Sequence, residues 1–272
     1  TVPSATYCSG VLVPAVTFTG NTTGATYNWT NSNTATGVAS SGVATVSAFT
    51  ATNSGTSGIS GIITVTPSAN SCIGTPTNYT VLVNPIPTVN AVASATYCNG
   101  DVVPAVNFSG SVASATYSWT NSNTAIGTSA SGITTVPSFN ATNSASTFIS
   151  GIITVTPSAN SCAGVPTNYT VVVNPTPVVN AVSSATYCSG DAVAATTFTG
   201  NVATTTYSWS NSNTAIGTGA NGVATIPGFN ATNSSASGIS GVITVTPSAN
   251  SCLGTPTDFT IVVNPIPTVN AV

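Results

Sequence analysis

The chain contains no lysine, no arginine and no histidine, and its acids number only 3 in 272 residues, Asp101, Asp191 and Asp258. Ordinary soluble domains are about a quarter charged, so the deficit far exceeds sampling noise. Without cationic side chains there is nothing to meet nucleic-acid phosphates or an anionic lipid surface, which excludes both as electrostatic partners. Conventional acid-base and nucleophilic catalysis loses its usual bases. A two-carboxylate glycosidase pair is available only in the last third of the chain, through Asp191 and Asp258, an implausible use of a repeated module. We therefore expect no enzymatic activity and no cofactor. Trypsin-like proteases have no cleavage site. Methionine is also absent, and Ala271 and Val272 restart the pattern that opens at Thr1 and Val2. The expectation is a segment of a longer exported polypeptide whose targeting signals lie elsewhere.

Long apolar runs are missing too. Apolar residues make up 41% of the chain but fall in short alternating stretches, well below the roughly 20 consecutive residues of a membrane-spanning helix. That is still enough apolar matter for a core in each folded unit.

What is present is a repeat of 90 residues without a gap. Cys8, Cys98 and Cys188 fall in phase, as do Trp29, Trp119 and Trp209, then Cys72, Cys162 and Cys252, and the Asn-Pro pairs at Asn84, Asn174 and Asn264. The pattern divides the chain into units 1–90, 91–180 and 181–272, and places function in the array rather than in one buried site. Thr, Val, Ile, Ser, Gly and Asn dominate, which disfavours helix. Alternation predicts strands: Val16 with Phe18 on one face, Tyr27 with Trp29, Ile63 with Val65, and Tyr79 with Val81 and Val83, with further extended segments at 5–8 and 43–52. About seven short antiparallel strands per copy describe an all-β immunoglobulin-like sandwich, with Trp29, Trp119 and Trp209 as core anchors. Pro-x-Pro joints near 84–90, 174–180 and 264–270 predict semi-rigid connections and a rod.

Two cysteines per copy, 64 residues apart, predict one disulfide within each copy: Cys8 with Cys72, Cys98 with Cys162, and Cys188 with Cys252. Such bonds imply an oxidising compartment; a metal site is the alternative, but two thiols without histidine make half a zinc site. Asp101 and Asp191 are the candidate ligand residues, each a single acid in an opening turn, where the competing reading is a carboxylate accepting turn N–H groups. Calcium sites usually gather several charged oxygens, so no metal is expected. Asp258 replaces Asn78 and Asn168 and reads as interchangeable with an amide. Thr-rich strands also suggest ice binding, though strand propensity explains the threonines, and sequons such as Asn28-Trp29-Thr30 leave glycosylation open.

The segments Tyr97-Cys98-Asn99-Gly100-Asp101, Tyr117 to Asn123, Ile153 to Pro157, Cys162, and Val173-Asn174-Pro175-Thr176-Pro177 together resemble the PKD-like repeats of giant surface adhesins. Such adhesins occur in gliding bacteria with type IX secretion. The resemblance covers all three copies and implies an extracellular or cell-surface spacer or adhesive filament, serving in cell adhesion and gliding motility. Val11 stands where the other copies have Asp101 and Asp191. The chain lacks the tyrosine two residues before the second cysteine of antibody domains, so the disulfide is expected to clip a first strand to a terminal hairpin rather than pin two sheets. The expected partners are neighbouring repeats of the same chain and homotypic assembly into a fibre. The alternative is a module whose loops near Asp101 and Asp191 hold surface glycans. Homotypic packing is favoured physically by the absence of lysine, which normally guards sheet edges.

Overall fold

A computed structural model describes residues 2–269. The sequence-level restart at Ala271 and Val272, and Asn270 of the last joint, lie outside the described residues. Each copy repeats the same elements, which in the first copy are β1 (Ala5–Cys8), β2 (Leu12–Val13), β3 (Val16–Thr17), β4 (Thr26–Asn31), β5 (Ser41–Val43), β6 (Thr45–Val46), β7 (Phe49–Thr50), β8 (Ile59–Ala69), β9 (Cys72–Ile73) and β10 (Thr77–Asn84). Ten short strands thus replace the seven expected, because turns and kinks split the predicted extended stretches. Helical structure among the described residues is confined to one-turn 3-10 segments such as Thr34–Thr36.

The main sheet runs β1-β10-β8-β4-β5 with β9 on the end of β8, and the paired ribbons β2-β7 and β3-β6 stand outside it. β8 and β10 are antiparallel, with Val83 opposite Ile59 and Thr77 opposite Val65. β1 departs from the all-antiparallel expectation: it runs parallel to β10, with Cys8 opposite Asn84. A parallel partner needs a long crossover, and in this fold nearly the whole copy separates the two strands.

The core follows from alternation. On β8, Gly61, Ile63 and Val65 are buried while Ser60 and Ile62 face outward, and on β10 Tyr79, Val81 and Val83 point inward. Trp29 packs among them, and Trp119 and Trp209 occupy the same place in their copies. Each indole N–H donates to a backbone carbonyl, that of Thr45, Thr135 or Thr225, so a large apolar ring is buried without orphaning its donor.

With no charged side chains to order the loops, asparagine amides take that role. Asn31 accepts the Asn33 N–H at 3.1 Å and donates to the carbonyls of Asn33 and Val38. Asn33 accepts from Ala35 N–H at the start of the 3-10 turn and donates to the Ser60 carbonyl. Buried Asn53 donates to the Val83 and Ser57 carbonyls and accepts from Gly55 N–H. Asn143 and Asn233 repeat this arrangement. Among the described residues no buried side-chain polar atom lacks a partner, which matters because an unpaired buried amide costs about 1–3 kcal/mol.

Truncating Trp119 to Ala leaves a cavity in the second core and is expected to lower that copy's stability by about 3–5 kcal/mol, read as a shifted denaturant midpoint. Burial, with Tyr7 and Tyr97 adding repulsion, pushes Tyr79 and Tyr169 up to about 12, whereas Phe259 occupies the matching place in the third copy. A phenol that ionises less readily when folded than at its unfolded value of 10.0 supports stability fully below that pH. That support is lost as pH rises from there towards 12. Melting temperature should therefore fall in this alkaline window, and less so in the double variant Tyr79→Phe, Tyr169→Phe.

Candidate functional site

The parallel pairing of β1 with β10 decides where the cysteines go. Cys8 lies beside Asn84, at the end of β10 from which the chain leaves the copy. Cys72 lies at the other pole. It pairs with Ala69 at the far end of β8, just after a two-residue turn in which Asn70 and Ser71 both take positive φ, 50° and 65°. This is the backbone pattern of the tightest hairpins, and asparagine tolerates it well. The 11 residues of β8 span the distance between the two ends, about 30 Å at strand rise, far beyond disulfide reach.

The bonds instead cross between copies. Cys8 pairs with Cys162 and Cys98 with Cys252, each with Cα atoms 5.6 Å apart and a sequence separation of 154. The expected bonds within copies, Cys8–Cys72, Cys98–Cys162 and Cys188–Cys252, are therefore corrected: a first strand is clipped to a hairpin, but to the hairpin of the following copy. Cys72 and Cys188 are exposed free thiols. Closing so long a loop restrains the unfolded chain by about 5 kcal/mol in the chain-entropy account.

Around each bond the joint is built from backbone. Asn90 N–H donates to the Ser109 carbonyl at 2.8 Å, Thr88 N–H to the Ser111 hydroxyl at 3.1 Å, and the Asn90 amide to the Ser109 hydroxyl at 2.9 Å. The second joint matches it: Asn180 N–H to the Thr199 carbonyl, Val178 N–H to Asn201 Oδ1, and Asn201 Nδ2 back to the Thr176 carbonyl. Asn174 Nδ2 reaches the Asn250 carbonyl in the hairpin at 3.2 Å. Gly164 and Gly254 explain the close approach, because a Cβ there would overlap the carbonyl oxygen of Pro87 or Pro177, and Gly110 and Gly200 do the same for Thr88 and Val178. Val89 and Val179 pack on the cores of the following copies. The prolines thus carry more than strand termination: Pro85, Pro87, Pro175 and Pro177 are all buried.

Asp101 and Asp191 are occupied locally. In each, Oδ2 accepts the N–H of the preceding cysteine, Cys98 or Cys188, at 2.8 Å. The turn also uses their backbone, the Asp101 carbonyl accepting from Ala141 and the Asp191 carbonyl from Ala231. Among the described residues no three His, Cys, Asp or Glu side chains gather as a metal site. The asparagines of the joint escape a reading of the sequence that looks for charge and thiols, although their strict phase at Asn84, Asn90, Asn174 and Asn180 is an available signal.

No protein-family model matches the chain, and no curated protein does so significantly. Among solved structures, three consecutive Ig domains of titin, in a Glu-to-Ala variant, superpose with a TM-score of 0.55 at 13% identity, covering 97% of this chain and 96% of that one. Mouse cadherin-23 repeats EC22–24 give 0.39 at 10% identity, covering 97% and 96%. The insect immune protein hemolin gives 0.34 at 11%, covering 97% and 75%. The titin likeness shows the fold: tandem Ig-like β-sandwich domains.

Cleavage at a protease site inserted at exposed Ala93 separates these pairings experimentally. With bonds inside copies the two fragments would part at once. With Cys8–Cys162 in place they should stay together on a non-reducing gel and separate only after reduction.

Proposed function

We propose that this chain is a load-bearing spacer segment of a long extracellular surface filament or adhesin, built from Ig-like units 1–90, 91–180 and 181–272 set end to end as a rod. The observation that carries the reading is the double crossing of each joint, once by backbone and once by a disulfide to the next copy. A bond inside a domain stiffens that domain, whereas a bond between neighbours fixes their mutual orientation and shares tension between two covalent paths. Seated prolines and backbone hydrogen bonds support the same role, since few rotatable side chains hold the joint and little entropy is left to restrain.

The surface chemistry agrees with this use. Hydroxyls and amides stay hydrated without responding to salt, and nothing on the chain invites trypsin-like cleavage. Disulfides suit an oxidising compartment, hence the cell surface. The similarity to PKD-like repeats of adhesins exported by gliding bacteria gives this spacer a natural setting. The bland alternative within the same class, a flexible string of beads, is disfavoured by the buried joint.

Single-molecule stretching tests the reading. In oxidising buffer the unfolding of any copy should release only part of its contour length, and reduction should lengthen every step and lower the force at which copies separate. Equal steps before and after reduction, or beads that swivel freely in electron micrographs, would refute the spacer role.

A further inference from the structure

Each joint has two halves. The donor half, on the leading copy, comprises the first-strand cysteine and the Asn-Pro-x-Pro segment. The acceptor half, on the following copy, comprises the hairpin with its cysteine and glycine and the loop that bears Gly110 or Gly200. The structure contains two completed joints and one unfilled half of each kind.

The unfilled acceptor is a cavity of about 770 Å³ on the first copy, lined among others by Phe18, Gly20, Tyr27, Ala69, Cys72 and Gly74. Its counterparts in the other copies are filled by Pro87 with Thr88 and by Pro177 with Val178. Filling shows in exposure: Cys162 and Cys252 are each 1% exposed and Ala159 and Ala249 are buried, whereas Cys72 is exposed and Ala69 only half-buried. The unfilled donor is the segment after the last strand. Asn84 and Asn174 are buried but Asn264 is exposed, and Val269 is 97% exposed where Val89 and Val179 pack on a neighbouring core.

The two unfilled halves match in sequence. Asn264-Pro265-Ile266-Pro267-Thr268-Val269 is identical to Asn84 to Val89, which fills the acceptor of the second copy. The open acceptor keeps the polar partners as well. Asn21 stands where Asn201 accepts the Val178 N–H, and Thr19 where Thr199 receives Asn180. Val2 already sits on the first core, as Val92 and Val182 do on theirs, so a docked segment has to supply only the Pro-x-Pro stretch.

We infer that the occupant of this cavity is a second copy of the chain, whose Asn264–Val269 segment docks head to tail and whose Cys188 forms a disulfide with Cys72. This rests on the spacer reading and extends it: the same joint that connects repeats connects molecules. The argument is continuity with the two joints within the chain, which supply the fit, the register and the cysteine spacing. Chemistry requires an oxidant, and a small-molecule disulfide suffices. Cys188 thiolate attacks it, forming a mixed disulfide and releasing one small thiol; Cys72 thiolate then attacks the Cys188 sulfur and expels the second. Two protein thiols are oxidised, one small disulfide is reduced to two thiols, and the protons pass to the products.

The test mixes two variants in a buffer poised with oxidised and reduced glutathione. Cys72→Ser retains only the donor thiol and Cys188→Ser only the acceptor thiol. Each alone should stay monomeric on non-reducing gels, the equimolar mixture should give a dimer whose chymotryptic digest contains Cys72 bonded to Cys188, and the unaltered chain should give a ladder. Val269→Asp in the donor variant touches nothing within its own molecule and should slow dimer formation at least about tenfold, since it would bury a charge on the acceptor core. The inference is overturned if the mixture remains monomeric, if either variant alone dimerises as readily as the mixture, if Val269→Asp has no effect, or if native material shows Cys72 bonded to a peptide of different sequence. Failure here is distinguishable from failure of the spacer reading. A monomer that keeps Cys8–Cys162 and Cys98–Cys252 and scatters as a straight three-bead rod loses only the intermolecular joint, whereas loss of those two bonds removes the spacer itself.

Discussion

The contact between an extended Pro-x-Pro backbone and the glycines of the next copy's hairpin and loop sets the geometry on which everything else rests. Carbonyls of Pro87 and Thr88 lie where side chains at Gly164 and Gly110 would otherwise stand, and this closeness brings the hairpin cysteine to the preceding copy's first strand. The disulfide then fixes an arrangement that packing has already produced. Prolines hold the segment extended before it docks, so ordering it costs less than ordering a flexible linker of the same length.

A nearly charge-free chain must find other means of specifying its loops and joints. Primary amides provide them, because one asparagine can donate two hydrogen bonds and accept others without the desolvation penalty of a buried ion. Asn31, Asn33 and Asn53 organise the interior loops of the first copy, while Asn84 and Asn90 face the following copy. Such a network is indifferent to salt and to most of the pH range, which suits a fibre outside the cell. The tyrosines of β10 and its counterpart in the second copy set the alkaline limit.

The strands were legible because alternation on β4, β8 and β10 is strong and the tryptophans recur on the inward face. The short ribbons β2-β7 and β3-β6 were not, since two-residue strands carry no periodicity. Nor was the parallel β1 pairing, which links segments almost a whole copy apart. Asp101 and Asp191 drew attention as the rare charges, and each serves the turn in which it lies.

By itself the sequence determined that there are three equivalent units, that each is all-β with a tryptophan in its core, that two classes of cysteine exist in fixed phase, and that the joints are stiff. It could not determine which cysteines meet. In a strict 90-residue repeat, the partner within a copy and the partner one copy later are the same residue in the same local context, so no local signal distinguishes them. Tertiary structure decided the matter by placing β1 parallel to β10. That puts Cys8 at the exit pole and Cys72 at the entry pole, about 30 Å apart, and leaves the neighbouring copy's hairpin as the cysteine within reach.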